Sequence, residues 1–136
     1  MTRNVCYLVL GVILLGGCIS YHETKRIVEE KDKPSQVLRH VVLFKFKDDT
    51  SSADVKKIEN AFCALPSKID AVYEFEWGTD VSVENRQQGF THCFIVTFRS
   101  EEDRGKYLSH PEHKKLGELL TPYLDKVLVV DFWAKP

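Results

Sequence analysis

The sequence predicts an α+β domain, a four-stranded antiparallel sheet with helices packed on one face. Three observations predict it. Two segments, LRHVVLFKFK (38–47) and FTHCFIVTFRS (90–100), alternate their side chains with the period of a strand. Two stretches between the strands carry apolar residues at helical spacing, each opened by a serine. The order reads strand, helix, strand, strand, helix pair, strand. Four strands and their helices in that order describe a ferredoxin-like unit.

Each element has its own local reason. In the first strand His40, Val42, Phe44 and Phe46 share one face, and Val41, Leu43, Lys45 and Lys47 the other. The run DDTSS then supplies turn and cap residues, and Ser51 with Asp54 three positions on resembles a capping box. Val55, Ile58, Phe62 and Leu65 predict an amphipathic helix over 52–65, ended by Pro66. A second strand is expected over 71–80, where Tyr73, Phe75 and Trp77 alternate with acids, and a polar loop over 79–89. In the third strand His92, Phe94, Val96 and Phe98 share a face, with Thr91, Cys93, Ile95 and Thr97 opposite. Ser100 caps the next helix, which carries Glu101, Glu102 and Asp103 in its first turn, where carboxylates meet the positive end of the helix dipole. That helix runs to about Ser109, and Pro111 begins another. The apolar run KVLVVDFW (126–133) is the last strand. Helices cover only one face, and the other carries Val41, Leu43, Cys93 and Ile95, so a second subunit is expected over it.

The amino terminus is a separate object. Arg3 is followed by an apolar run from Val5 to Leu15, too short to span a bilayer and proportioned like a secretory signal. The run ends in Leu15-Gly16-Gly17-Cys18, which resembles a bacterial lipobox. The expected organisation is a signal peptide over 1–17, a linker over 18–36 anchored to the membrane through lipidated Cys18, and a folded domain over 37–136. Ile19 follows the cysteine in place of an Asp, which implies the periplasmic face of the outer membrane in the bacterial cell envelope. Cys63 and Cys93 fall amid apolar residues in different elements and are expected as two buried thiols, not a disulfide.

The formal net charge is −1, and no basic run stands out, so a nucleic-acid partner is not expected. No G-x-S-x-G elbow and no glycine-rich phosphate cradle is present. The segment YLSHPEHKKLGELL (107–120) concentrates polar chemistry instead. His113 shares a helix side with Leu116 and Leu120, and His40 and His92 stand on the strand face assigned to the helices. Three imidazoles are thus expected to converge between sheet and helices. An imidazole exchanges protons near neutrality, and the Tyr107 phenol can donate a hydrogen bond to a carbonyl. The same residues also fit a purely structural role, with Tyr107 as a core aromatic and His110 as a helix start. A metal clip through His110 and His113 lacks a carboxylate at helical spacing, so no metal and no cofactor is expected.

The stretches RHVVLFKFKDD, WGTDVSVENRQQGFTHCFIVTFRS and YLSHPEHKKLGELLTPYLDKVLVVDF together resemble the stress-responsive dimeric α+β barrel (Dabb) family, over about 37 to 135. The resemblance implies a homodimer whose two sheets close into a barrel. In a plant polyketide cyclase of that family, the second His of H-P-x-H and the Tyr three residues before the motif form the catalytic pair. By position these are His113 and Tyr107, while His40 and His92 match the histidines of the first and third strands. Phe44 and Phe94 stand on the pocket side, where that cyclase has smaller aliphatics. What the resemblance implies is a small, partly apolar ligand between sheet and helices, with cyclase-like acid–base chemistry. The alternative is a non-catalytic dimeric stress or envelope protein with structural histidines.

Overall fold

The computed structural model describes residues 34–135. The expected signal peptide, Cys18 and the linker up to 33 lie outside them. The described elements are β1 (Leu38–Phe46), α1 (Ser52–Cys63), a 3-10 turn (Leu65–Ser67), β2 (Glu74–Thr79), β3 (His92–Phe98), α2 (Glu101–Ser109), α3 (Pro111–Leu120) and β4 (Leu124–Trp133). The four strands form one sheet in the order β2-β3-β1-β4, antiparallel throughout. The ferredoxin-like α+β class is therefore as expected.

Alternation does what it predicts in the two central strands. Leu38, His40, Val42 and Phe44 of β1, and His92, Phe94, Val96 and Phe98 of β3, are buried under the helices. Ile58 and Phe62 of α1, Tyr107 of α2, and Leu116 and Leu120 of α3 close the core from above. The centre is aromatic: Phe94 stacks on Phe62 at 4.1 Å and 12°, and with Trp77 at 5.6 Å and 10°. Offset stacking of this kind adds specific geometry to burial.

Both serine caps are in place. Ser51 accepts from the Asp54 amide at 3.1 Å and Ser100 from the Asp103 amide at 3.1 Å, each filling one of the bare N–H groups of a helix start. Ser100→Ala is expected to cost about 1 kcal/mol, read as a lower midpoint in urea with an unchanged slope. β3 is two residues shorter at each end than the expected 90–100, running His92–Phe98, and three further boundaries differ. α1 stops at Cys63 because Pro66 sits in the 3-10 turn that follows it. β2 starts at Glu74, since Ile69 and Val72 pack as a loop whose amides are held by Leu65 and Ile69 carbonyls. β4 begins at Leu124, two residues before the expected start, across a register shift at Lys45/Phe46.

Among the described residues, nothing of the same chain covers the opposite face of the sheet. Register places Ile95, Val41 and Val130 in one row across it, and Cys93, Leu43 and Leu128 in the next. Leu128, Val130 and Phe132 are each more than two-fifths exposed there. Cys63 and Cys93 are free and half-buried, not fully buried as expected. They cannot meet, because Cys63 belongs to α1 on the helical side and Cys93 points to the uncovered face.

Candidate functional site

The site is made where α2 turns into α3. A residue before proline is pushed out of helical geometry. His110 accordingly sits extended at φ −65°, ψ 138°, and the chain bends there. Its Nδ1 accepts from the Glu112 amide at 3.2 Å and so caps α3. That use of His110 is a capping role, and Tyr107 and His113 are left facing each other across the bend. Their ring centroids are 4.6 Å apart. His40 of β1 also meets Tyr107, edge-on at 5.9 Å. Two imidazoles therefore adjoin one phenol.

These three groups form one end of a cavity of about 290 Å³ between the sheet and α2 and α3. Its remaining wall is apolar, with Phe44, Phe62, Leu116, Leu120, Val127 and Val129 among the lining residues. On β4, an edge strand, the lining residues Val127 and Val129 are 54% and 50% exposed although they face the helical side. A wall that is mostly hydrocarbon with a few convergent polar groups is the usual build of a small-molecule site.

Hydrogen bonds settle which nitrogen of each ring carries the proton. A carbonyl or carboxylate oxygen only accepts. His113 Nδ1 lies 3.2 Å from the Leu108 carbonyl oxygen, so Nδ1–H donates and the lone pair is on Nε2. His40 Nδ1 lies 2.6 Å from Asp131 Oδ1, which again puts the proton on Nδ1. Asp131 Oδ2 accepts in turn from Arg104 Nη1 at 2.9 Å. Burial lowers the pKa of His113, and the nearby His40 adds to that, while the Leu108 carbonyl partly opposes it. The ring is neutral at neutral pH. Burial pushes the Tyr107 hydroxyl well above its ordinary value, so it stays a donor throughout the working range.

His92 is a correction to the expected meeting of three imidazoles. It shares the buried face but not the site, because antiparallel register sets it opposite Phe44, four residues along β1 from His40. At about 3.3 Å per residue that is roughly 13 Å away. Its Nε2 donates to Glu59 Oε1 at 3.1 Å and its Nδ1 accepts from the Thr91 hydroxyl at 2.8 Å. Its tautomer is thus the reverse of the other two. Glu59 is held ionised chiefly by the Lys56 ammonium, against a cost of burial. Phe94 also departs from the expected pocket set. It is fully buried against Phe62 and Trp77 and lies outside the cavity wall, whereas Phe44 is part of that wall. Asp131 and Arg104 escaped the sequence reading. The signals were there: one acid inside an apolar strand, and an Arg three positions before Tyr107 on one helix face.

Comparison with known proteins agrees with this layout. The profile described as stress responsive A/B barrel domain matches residues 38–134. The stress-response A/B barrel domain-containing protein HS1 of Arabidopsis thaliana is 39% identical over 95 residues, covering 70% of this chain and 87% of that protein. Olivetolic acid cyclase of Cannabis sativa is 32% identical over 95 residues, covering 70% and 94%. Among solved structures, the hydroxynitrile lyase from Passiflora edulis has a TM-score of 0.70 at 27% identity, covering 75% of this chain and 96% of that one. A dimeric protein of ferredoxin-like fold from Bacteroides fragilis has a TM-score of 0.58 at 28% identity, covering 71% and 94%. The chain belongs to the stress-responsive A/B barrel (Dabb) domain family.

Proposed function

We propose that the domain binds a small, largely apolar carbonyl compound in this cavity and moves a proton on the carbon next to the carbonyl. The observation that carries the reading is the open cavity reaching both Tyr107 and His113. Tight closure by Phe44, Phe94 and the helices would have favoured purely structural histidines instead. His113 is the base: neutral, with its Nε2 lone pair unclaimed by the Leu108 contact. The α-proton passes from carbon to Nε2, and Tyr107 donates to the oxygen on which the enolate charge gathers. Relatives named as a cyclase and a hydroxynitrile lyase support a small molecule as the ligand.

The test is exchange of the C2 protons of S-ethyl 3-oxohexanethioate into D2O, followed by NMR. His113→Ala is expected to slow the protein-dependent exchange by about 10²–10⁴-fold, and Tyr107→Phe by about 10²–10³-fold. Unchanged exchange in His113→Ala removes the base. A lowered pKa also has a sign. Protein-dependent exchange should hold level as pH falls to about 6.5 and drop only below it. The unfolded chain protonates there first, so the domain loses stability from that pH downward until the folded-state value is passed.

The same proposal includes a homodimer across the uncovered sheet face and an envelope location through lipid on Cys18. The apolar rows on that face and the dimeric relative of known structure support the first. The apolar run ending in Leu15-Gly16-Gly17-Cys18 supports the second. Mass spectrometry of the natively purified protein reads both, as a chain cut before Cys18 carrying acyl mass, and as a two-chain assembly. A chain that keeps residues 1–17 and carries no added mass counts against the anchor. A structural role is the reading for His92, whose two ring nitrogens are both occupied by Glu59 and Thr91.

A further inference from the structure

We propose that Asp131 and Arg104 are positioning residues that hold His40 as a second proton acceptor in the cavity. The polar end would then present acceptor, donor, acceptor: His40 Nε2, Tyr107 O–H, His113 Nε2. The ligand complementary to it carries a carbonyl oxygen for Tyr107 and a hydroxyl or enol O–H beside it for His40. This names the substrate class of the proposed site more narrowly and rests on that reading, although the tautomer itself does not.

The argument is an inventory of donors and acceptors. Asp131 takes the Nδ1–H of His40 on one oxygen and Arg104 on the other, so both carboxylate oxygens are committed. Arg104 has donors only. It comes from the same helix as Tyr107, three positions earlier, so α2 sets the phenol and the arginine together. β4 brings Asp131 directly opposite His40 in the sheet register. The groups facing His40 from each packed element are thus Asp131 of β4, Arg104 (through Asp131) and Tyr107 of α2, and His113 of α3. Asp131 stands outside the cavity wall and His40 within it, which leaves Nε2 as the ring's polar contribution to the ligand.

An isosteric substitution makes this testable. In Asp131→Asn only one side-chain oxygen remains, and Arg104 can bond nothing else there. The amide NH2 must turn to His40, whose Nδ1 then has to accept, and the ring proton moves to Nε2. The cavity acceptor becomes a donor. Adding Arg104→Ala frees the Asn oxygen to turn back, and the original tautomer should return.

The experiment is two-bond 15N–1H NMR of the 15N-histidine-labelled full chain at a pH where its imidazoles are neutral. The expected pattern for His40 is Nδ1–H in the parent, Nε2–H in Asp131→Asn, and Nδ1–H again in the double variant. His92, bonded the other way, should keep Nε2–H in all three and so reports an intact fold. Nε2–H on His40 in the parent, or no change in Asp131→Asn with His92 intact, overturns the inference. A His92 signal that collapses in Asp131→Asn, with the fold lost, also overturns it, since Asp131 is then structural. No ligand is needed, so failure here is distinct from failure of the thioester exchange.

Discussion

Replacing Phe94 with Ala is expected to cost the domain about 3–5 kcal/mol. Phe94 is wholly buried and belongs to the one hydrophobic core. Its ring stacks with Phe62 of α1 and with Trp77 of β2, while Phe44 of β1 meets it at 5.2 Å. Removing the ring loses the transfer energy of six carbons and strands three aromatic partners around a void that they cannot all fill. For a domain of about 100 residues this is a fall of roughly 15–30 °C in the midpoint of thermal unfolding. Circular dichroism at two wavelengths measures it. A fall of only a few degrees would mean that Phe62 and Trp77 collapse together and that the stack is not central. The cavity next to it should suffer indirectly, since Phe62 and Phe44 are part of its wall.

Val130→Glu is expected to have the second large effect, on assembly and not on folding. Val130 lies on the uncovered face, in a row with Val41 and Ile95, and is 48% exposed within one chain. A single subunit therefore loses little by the change. Across a two-fold interface the substitution buries two unpaired carboxylates near each other, which costs several kcal/mol. Light scattering coupled to size exclusion should report the parent as two chains and the variant as one, with the far-ultraviolet spectrum unchanged. A parent that runs as one chain would contradict the homodimer, and a variant that still runs as two would place the interface elsewhere.

The parts of the fold that could be read from sequence are those where burial is one-sided and local. In β1 and β3 a period of two and a single covered face leave one assignment for every side chain. Ser51, Ser100, Pro66 and Pro111 mark helix ends by local chemistry that does not depend on the rest of the chain. β4 could not be read this way. LDKVLVVDFW is nearly continuous in its apolar centre, and only pairing with β1 shows Val127, Val129 and Asp131 on the helical side with Leu128, Val130 and Phe132 opposite. That is why Asp131 was missed. The misplacement of His92 has a related cause. Alternation tells which face a residue takes but not where along the sheet it lies, and antiparallel register sends His40 and His92 to opposite ends of the buried face. Tyr107 and His113 were legible because the Pro111 bend brings them together within one short segment.

Titration of the protein with 4-phenylbutan-2-one, observed through its leucine and valine methyl groups, tests the ligand site most directly. Saturable shifts at Leu116, Leu120, Val127 and Val129, accompanied by the His113 ring, are the predicted result. Absence of any saturable shift, or shifts confined to Leu128 and Val130 on the opposite face of the sheet, would contradict it.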